Sequence, residues 1–135
     1  MPWNDLDAVA ALLGSLSPIE HQSFDAWLAL LRVNVAAPMG LTRALLPLLS
    51  RSPDASVIFT LDSRGEDPRA YWGGYAVTKA AISAWAECMK VDLRDTDVGI
   101  HVVNPGVIDT ELFHLPDNDE SMADIEALPV EAMVQ

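Results

Sequence analysis

The sequence predicts an α/β fold built on a parallel sheet, and three observations carry that prediction. Apolar residues recur at helical spacing across residues 23–50, a short β-branched and aromatic run follows at 55–61, and the same order repeats over 73–94 and 99–103. Helix, strand, helix, strand in succession implies that the strands are joined through crossover helices and pair parallel. With 135 residues, half of them hydrophobic, the chain fits a single domain over 1–135 that buries a real core.

Each element follows from its residues. Leu6-Asp7-Ala8-Val9-Ala10 reads as a strand or, given its alanines, as a helical turn. Phe24, Leu28, Leu31, Val35, Met39, Thr42, Leu46 and Leu49 recur every three or four positions, with Thr42 a borderline member, and predict one long amphipathic helix. Ser52-Pro53-Asp54 breaks it. Ala55 to Leu61 contains Ser-Val-Ile-Phe-Thr, the composition of a buried strand, and a polar loop runs from Asp62 to Arg69. Helical spacing returns from Gly73 to about Arg94, and Gly99 to Val103 is a second buried strand closed by Asn104-Pro105-Gly106. From Leu115 the chain is acidic and loop-like to Asp124, and Pro129 opens a short helix.

Composition excludes several classes of function. Eight basic residues against twenty acidic ones leave a net charge of −12, which repels nucleic acid and anionic membrane surfaces. No apolar run approaches the roughly 18–20 residues that cross a bilayer, and no leader pattern opens the chain. A single cysteine, Cys88, forms no internal disulfide, so a cytoplasmic protein is expected. His21, His101 and His114 lie on different elements; the acidic residues near His114 read as a solvated loop, and no metal site is expected. Trp85, Cys88 and Met89 have the spacing of core or interface residues, and Tyr71 and Trp72 are expected to be buried against the helix entrance rather than to line a pocket.

The chemistry concentrates at Tyr75 and Lys79. Four residues apart, they share one helical face. A phenol ordinarily titrates near ~10, and an ammonium beside it, with a helix first turn, favours the phenolate and brings proton exchange within reach. Taken alone the pair is weak, since chance supplies it roughly once in several hundred residues.

Its surroundings add specificity. Tyr75-x-x-x-Lys79 opening a helix, Asn104-Pro105-Gly106 closing the next strand, Asn34 in the preceding long helix, Leu45-Leu46-Pro47-Leu48-Leu49 and Tyr71-Trp72-Gly73-Gly74 together resemble the short-chain dehydrogenase/reductase family over essentially the whole chain. The resemblance implies a partial Rossmann-like, three-layer α/β/α architecture. It also implies an NAD- or NADP-dependent oxidoreductase that interconverts an alcohol and a carbonyl on a small molecule. Tyr75 would be the general acid/base, Lys79 would lower its pKa and contact the nicotinamide ribose, and Asn34 would support a proton relay. Pro105, Gly106, Ile108 and Thr110 match positions that orient the nicotinamide. Helices 23–50 and 73–94 match the family's subunit interface, so a homo-oligomer is expected. An independent feature singles out Asn34: Pro38, four residues on, has no N–H for the Asn34 carbonyl, which could hold a water leading toward Lys79.

The chain also departs from the family pattern. Gly14 is the only glycine before Asn34, so no glycine-rich phosphate loop is present and the first three strands are expected to be missing. The residue that selects NAD or NADP is missing with them. The C-terminus is expected to stop before the family's last helix and seventh strand, leaving a three-stranded parallel core with an exposed edge. Thirteen residues before Tyr75, where the family's catalytic serine falls, stands Asp62; the nearest serine is Ser63. An ionised carboxylate can only accept hydrogen bonds, and its charge raises a neighbouring phenol's pKa. The alternative to an enzyme is therefore a truncated, non-catalytic relative acting in helix-mediated association. A hydrolase is disfavoured, because Ser63 lacks a Gly-x-Ser-x-Gly elbow.

Overall fold

Ser23 starts the first helix: its side chain accepts from the Ala26 N–H at 3.3 Å, a cap worth about 1 kcal/mol. The computed structural model describes residues 11–62, 67 and 69–106. Within them a 3-10 turn, Ile19–His21, precedes α1, Phe24–Leu31; a π-turn, Arg32–Ala36; and α2, Ala37–Leu49. Strand β1, Ala55–Thr60, helix α3, Gly73–Asp92, and strand β2, Val98–Val103, complete the order. The single long helix expected over 23–50 is thus interrupted. At the interruption the Ala37 N–H bonds the Arg32 carbonyl, five residues back, and Pro38 follows with no N–H of its own. The expected strand at 6–10 and the tail beyond Gly106 lie outside the described residues.

The two strands pair parallel, in register from Ala55 opposite Val98 to Thr60 opposite Val103. Period-two alternation sends Ala55, Val57 and Phe59 to one face together with Val98, Ile100 and Val102. Against that face α3 lays Ile82, Ala86 and Met89, joined by Val35, Leu49 and Trp85. The Phe59 and Trp85 rings meet at 5.4 Å, tilted by 59°. Met89 is buried and Trp85 packs on the core as the spacing suggests, whereas Cys88 is exposed. On the opposite face Ser56, Ile58, Thr60, His101 and Val103 are exposed, Ile58 by 63%.

Ala86 has no exposed surface. Ala86→Leu forces three extra carbons into a filled space and is expected to cost about 1–3 kcal/mol, measured as a lower urea midpoint. An unchanged midpoint would mean that α3 does not seat on the sheet through this residue.

Candidate active site

Gly74 brings the start of α3 against α1. A Cβ at Gly74 would stand 2.8 Å from Leu30 Cδ1 and 3.4 Å from Trp27 Nε1, so the close approach depends on the missing side chain. Tyr75 follows in the first turn and is buried beside Leu13 and Trp72, whose ring meets the phenol edge-on at 5.8 Å. Its O–H donates to Asp62 Oδ2 at 3.3 Å. Lys79 Nζ lies 5.5 Å from the centre of the Tyr75 ring and donates to the Thr60 carbonyl at 3.4 Å. The two side chains therefore face the carboxyl end of β1 together, where ligands sit in open parallel sheets. The Leu61 N–H bonds the Val103 carbonyl at 2.8 Å, which brings the end of β2 alongside. There Asn104 Oδ1 accepts from the Gly106 N–H at 3.2 Å, and Gly106 takes a φ of 81°, a left-handed turn suited to glycine. Pro105 is half-buried between them.

Asn34 is buried and fully engaged. Its Oδ1 accepts from the Leu12 N–H at 2.8 Å; its Nδ2 donates to the Leu12 carbonyl at 2.7 Å and to Thr78 Oγ1 at 3.1 Å. Thr78, with no exposed surface, donates in turn to the Tyr75 carbonyl at 2.7 Å. Asn34 thus connects the segment before α1 to the helix turn that carries the phenol. Sequence reasoning missed Thr78. A threonine inside a helix commonly bonds a carbonyl three or four residues back, and that habit was the available signal.

The electrostatics reverse one expectation. The Tyr75 phenol is pushed well above its ordinary range, first by burial, then by the Asp62 charge and the hydrogen bond to it. The Lys79 ammonium is itself lowered by burial, with the Asp62 charge opposing that shift. The carboxylate stands against the phenol, and Ser63 lies outside the described residues, as do Ile108 and Thr110.

A raised phenol pKa links stability to pH. The unfolded chain loses the Tyr75 proton near ~10 while the folded chain keeps it, so this contribution is complete below pH ~10 and is lost as pH rises from there through the folded value. Wild-type stability should fall above pH ~10 more steeply than that of Tyr75→Phe, by up to about 1.4 kcal/mol per pH unit in urea melts. Parallel curves for the two proteins would contradict the burial of the phenol.

Tyr71 departs from the expected burial: Trp72 is buried, but Tyr71 is 52% exposed and adopts a φ of 73°. A left-handed backbone costs a non-glycine residue on the order of 1 kcal/mol. The clefts nearest this turn do not include Tyr75 or Lys79 among their lining residues. Among the described residues no cluster of metal-ligating side chains forms, and no helix is long and apolar enough to cross a membrane.

Residues 4–121 match the short chain dehydrogenase family, and the chain belongs to it. It is 38% identical over 97 residues to the uncharacterized oxidoreductase YciK of Escherichia coli K12, covering 72% of this chain and 38% of that protein. A short chain dehydrogenase from Salmonella enterica serovar Typhi superimposes with a TM-score of 0.76 at 32% identity, over 87% of this chain and 46% of that one. A protein from Escherichia coli CFT073, crystallised with NADPH, superimposes with a TM-score of 0.75 at 31% identity, over 87% and 47%. The chain therefore spans less than half the length of these relatives. The parallel sheet with its helices is the Rossmann-like fold of the family.

Proposed function

We propose that the chain carries the catalytic half of an NAD(P)-dependent oxidoreductase interconverting an alcohol and a carbonyl on a small molecule. The observation that carries this reading is the shared position of the Tyr75 hydroxyl and the Lys79 ammonium at the end of β1. In this reading Lys79 would donate to the ribose of a nicotinamide, and the Pro105-Gly106 turn, followed in sequence by Ile108 and Thr110, would orient its carboxamide. A bound reduced nicotinamide supplies the hydride. Tyr75 gives its proton to the carbonyl oxygen as that oxygen gains charge. Before it can do so, the hydroxyl must turn from Asp62 to the substrate.

Asn34 supports proton supply through its main-chain carbonyl, at the π-turn, because its side chain is already engaged. Ser63 remains the candidate second donor. Copies associate through α1, α2 and α3, where Phe24, Met39, Leu41, Leu48, Val77 and Val91 are exposed. A cytoplasmic setting accords with the free, exposed Cys88 thiol.

Titrating the purified chain with NADPH and NADH, followed by nicotinamide fluorescence, tests the reading. Dissociation constants in the micromolar range, with Tyr75→Phe retaining binding and losing turnover, would support it, although without a glycine-rich phosphate loop the affinity is expected to be severely reduced. No binding at millimolar cofactor would overturn it.

A further inference from the structure

The turn of α3 that carries the phenol is weak by its own sequence. It opens on Gly73 and Gly74, and glycine loses more backbone freedom in a helix than any other residue. Trp72 stands at the N-cap, and its indole, a donor with no acceptor, makes no cap for the free N–H groups of the helix start. Propensity and capping therefore do not explain why Tyr75 keeps its place.

Thr78 supplies a restraint. With no exposed surface, its hydroxyl joins two parts of the chain 44 residues apart. The hydroxyl has one proton, and that proton goes to the Tyr75 carbonyl at 2.7 Å, within the same helix turn. The oxygen is left to accept, and it does so from Asn34 Nδ2 at 3.1 Å. Both Nδ2 protons of Asn34 are then used, the second on the Leu12 carbonyl at 2.7 Å, while Oδ1 takes the Leu12 N–H at 2.8 Å. The direction of each bond is thereby fixed, and none of these groups can turn without leaving a buried polar atom unpaired.

A threonine bonded to its own neighbourhood has no such reach. Thr96 makes the same bond three residues back, to the Leu93 carbonyl at 2.7 Å, and its other partner, the Val98 N–H, is also local. Thr78 instead crosses to the π-turn, where Asn34 carries the main-chain carbonyl credited above with proton supply. We propose that Thr78 is a positioning residue for the acid/base: its hydroxyl ties the turn bearing Tyr75 to Asn34 and so holds the phenol in register with the π-turn. This rests on the oxidoreductase reading of Tyr75, and it adds the residue that keeps the proton donor in place.

The test compares Thr78→Val, which keeps the shape and removes the hydroxyl, with Thr78→Ser, which keeps the hydroxyl and removes a methyl. The chain has only two tyrosines, so NMR of ring-labelled tyrosine at pH 7, assigned with Tyr75→Phe, reads Tyr75 directly. In the wild type the Trp72 ring, edge-on at 5.8 Å, should displace the Tyr75 ring signals from those of free tyrosine. Thr78→Val should at least halve that displacement while the Ile82 methyl signals of the main core stay in place. Thr78→Ser should keep the wild-type Tyr75 signals even though the lost methyl lowers its urea midpoint. Thr96→Val, the control, should move none of them. Where NADPH binds, Thr78→Val should lower kcat about tenfold or more, and Thr78→Ser should restore it. Tyr75 signals unmoved in Thr78→Val, or displaced equally in Thr78→Ser, would overturn the proposal and leave Thr78 a packing residue. Should Thr78→Val fail to fold, the wild type decides: a slowly exchanging Thr78 hydroxyl proton with cross-peaks to the Asn34 amide is expected, and its absence would overturn the proposal. The ring signals are read without cofactor, so a displaced phenol in Thr78→Val beside no NADPH binding would sink the hydride-transfer reading and not the tie through Thr78.

Discussion

Replacing Asp62 by serine is expected to bring the Tyr75 phenol down the pH scale and so to raise the fraction of phenolate at a given pH. Of the three influences that hold the phenol high, two belong to Asp62: its charge and the hydrogen bond it accepts. Serine removes both. Burial, the largest of the three, stays, so the phenol should remain above its ordinary range. Lys79 should move down as well, because the Asp62 charge is what opposes the effect of burial on the ammonium. The chain has only two tyrosines, so phenolate absorbance in Asp62→Ser, corrected with Asp62→Ser/Tyr75→Phe, reports Tyr75 directly. If the cofactor binds, alcohol oxidation at pH 8 should rise, since more phenolate is available to take the hydroxyl proton. A serine hydroxyl can also donate to a substrate carbonyl, which an ionised carboxylate cannot. An unmoved phenol titration would mean that Asp62 does not govern Tyr75.

Asn34→Ala should cost about 2–4 kcal/mol, more than a surface substitution and comparable to the loss of a buried network. Three hydrogen bonds disappear together, and two of them leave the Leu12 N–H and carbonyl to find other partners. The damage should be local in a specific direction. Leu13, next in sequence to Leu12, packs against Trp72 and Tyr75, so release of Leu12 loosens the wall around the phenol. Asn34→Asp keeps the acceptor for the Leu12 N–H but loses the donors to the Leu12 carbonyl and Thr78, and it should be no more stable than the alanine variant. Urea unfolding gives the size of the effect, and hydrogen exchange at the Leu12 amide gives its location. A cost under about 0.5 kcal/mol would show that the segment before α1 is held by other contacts.

The parts of the fold that were legible in the sequence are those written as periodicity. Phe24 to Leu49 and Gly73 to Asp92 carry helical spacing, and Ser-Val-Ile-Phe-Thr carries the strand, so their order and the parallel pairing could be read directly. The break at Arg32–Ala36 could not be read as a boundary, because an inserted residue leaves the apolar spacing nearly intact; only Pro38 hinted at it. At the site, Tyr75 and Lys79 were found by spacing, and Asp62 by counting back from the tyrosine. Neither route gives burial. The phenol's shift away from neutrality arises from its packing against Leu13 and Trp72, residues remote from it or unremarkable in sequence. Thr78 escaped notice for the same reason, since its role exists only once Asn34 is brought across to meet it. Tyr71 was expected inside and lies half outside because its backbone turns the wrong way for an ordinary side chain.

The wide turn at Arg32–Ala36 makes the length of this helix as consequential as its composition. Each residue of an α-helix contributes about 100° of rotation and 1.5 Å of rise. The wide turn takes up one residue more than ordinary winding would need, so deleting one amino acid there, Val33 for instance, would restore an unbroken helix and keep Trp27 and Leu30 close to the notch at Gly74. Deleting one from the regular winding of α1 or α2 would instead swing everything upstream by that angle. Sequences sharing this architecture should therefore tolerate a missing residue at the wide turn and not within the helices on either side of it.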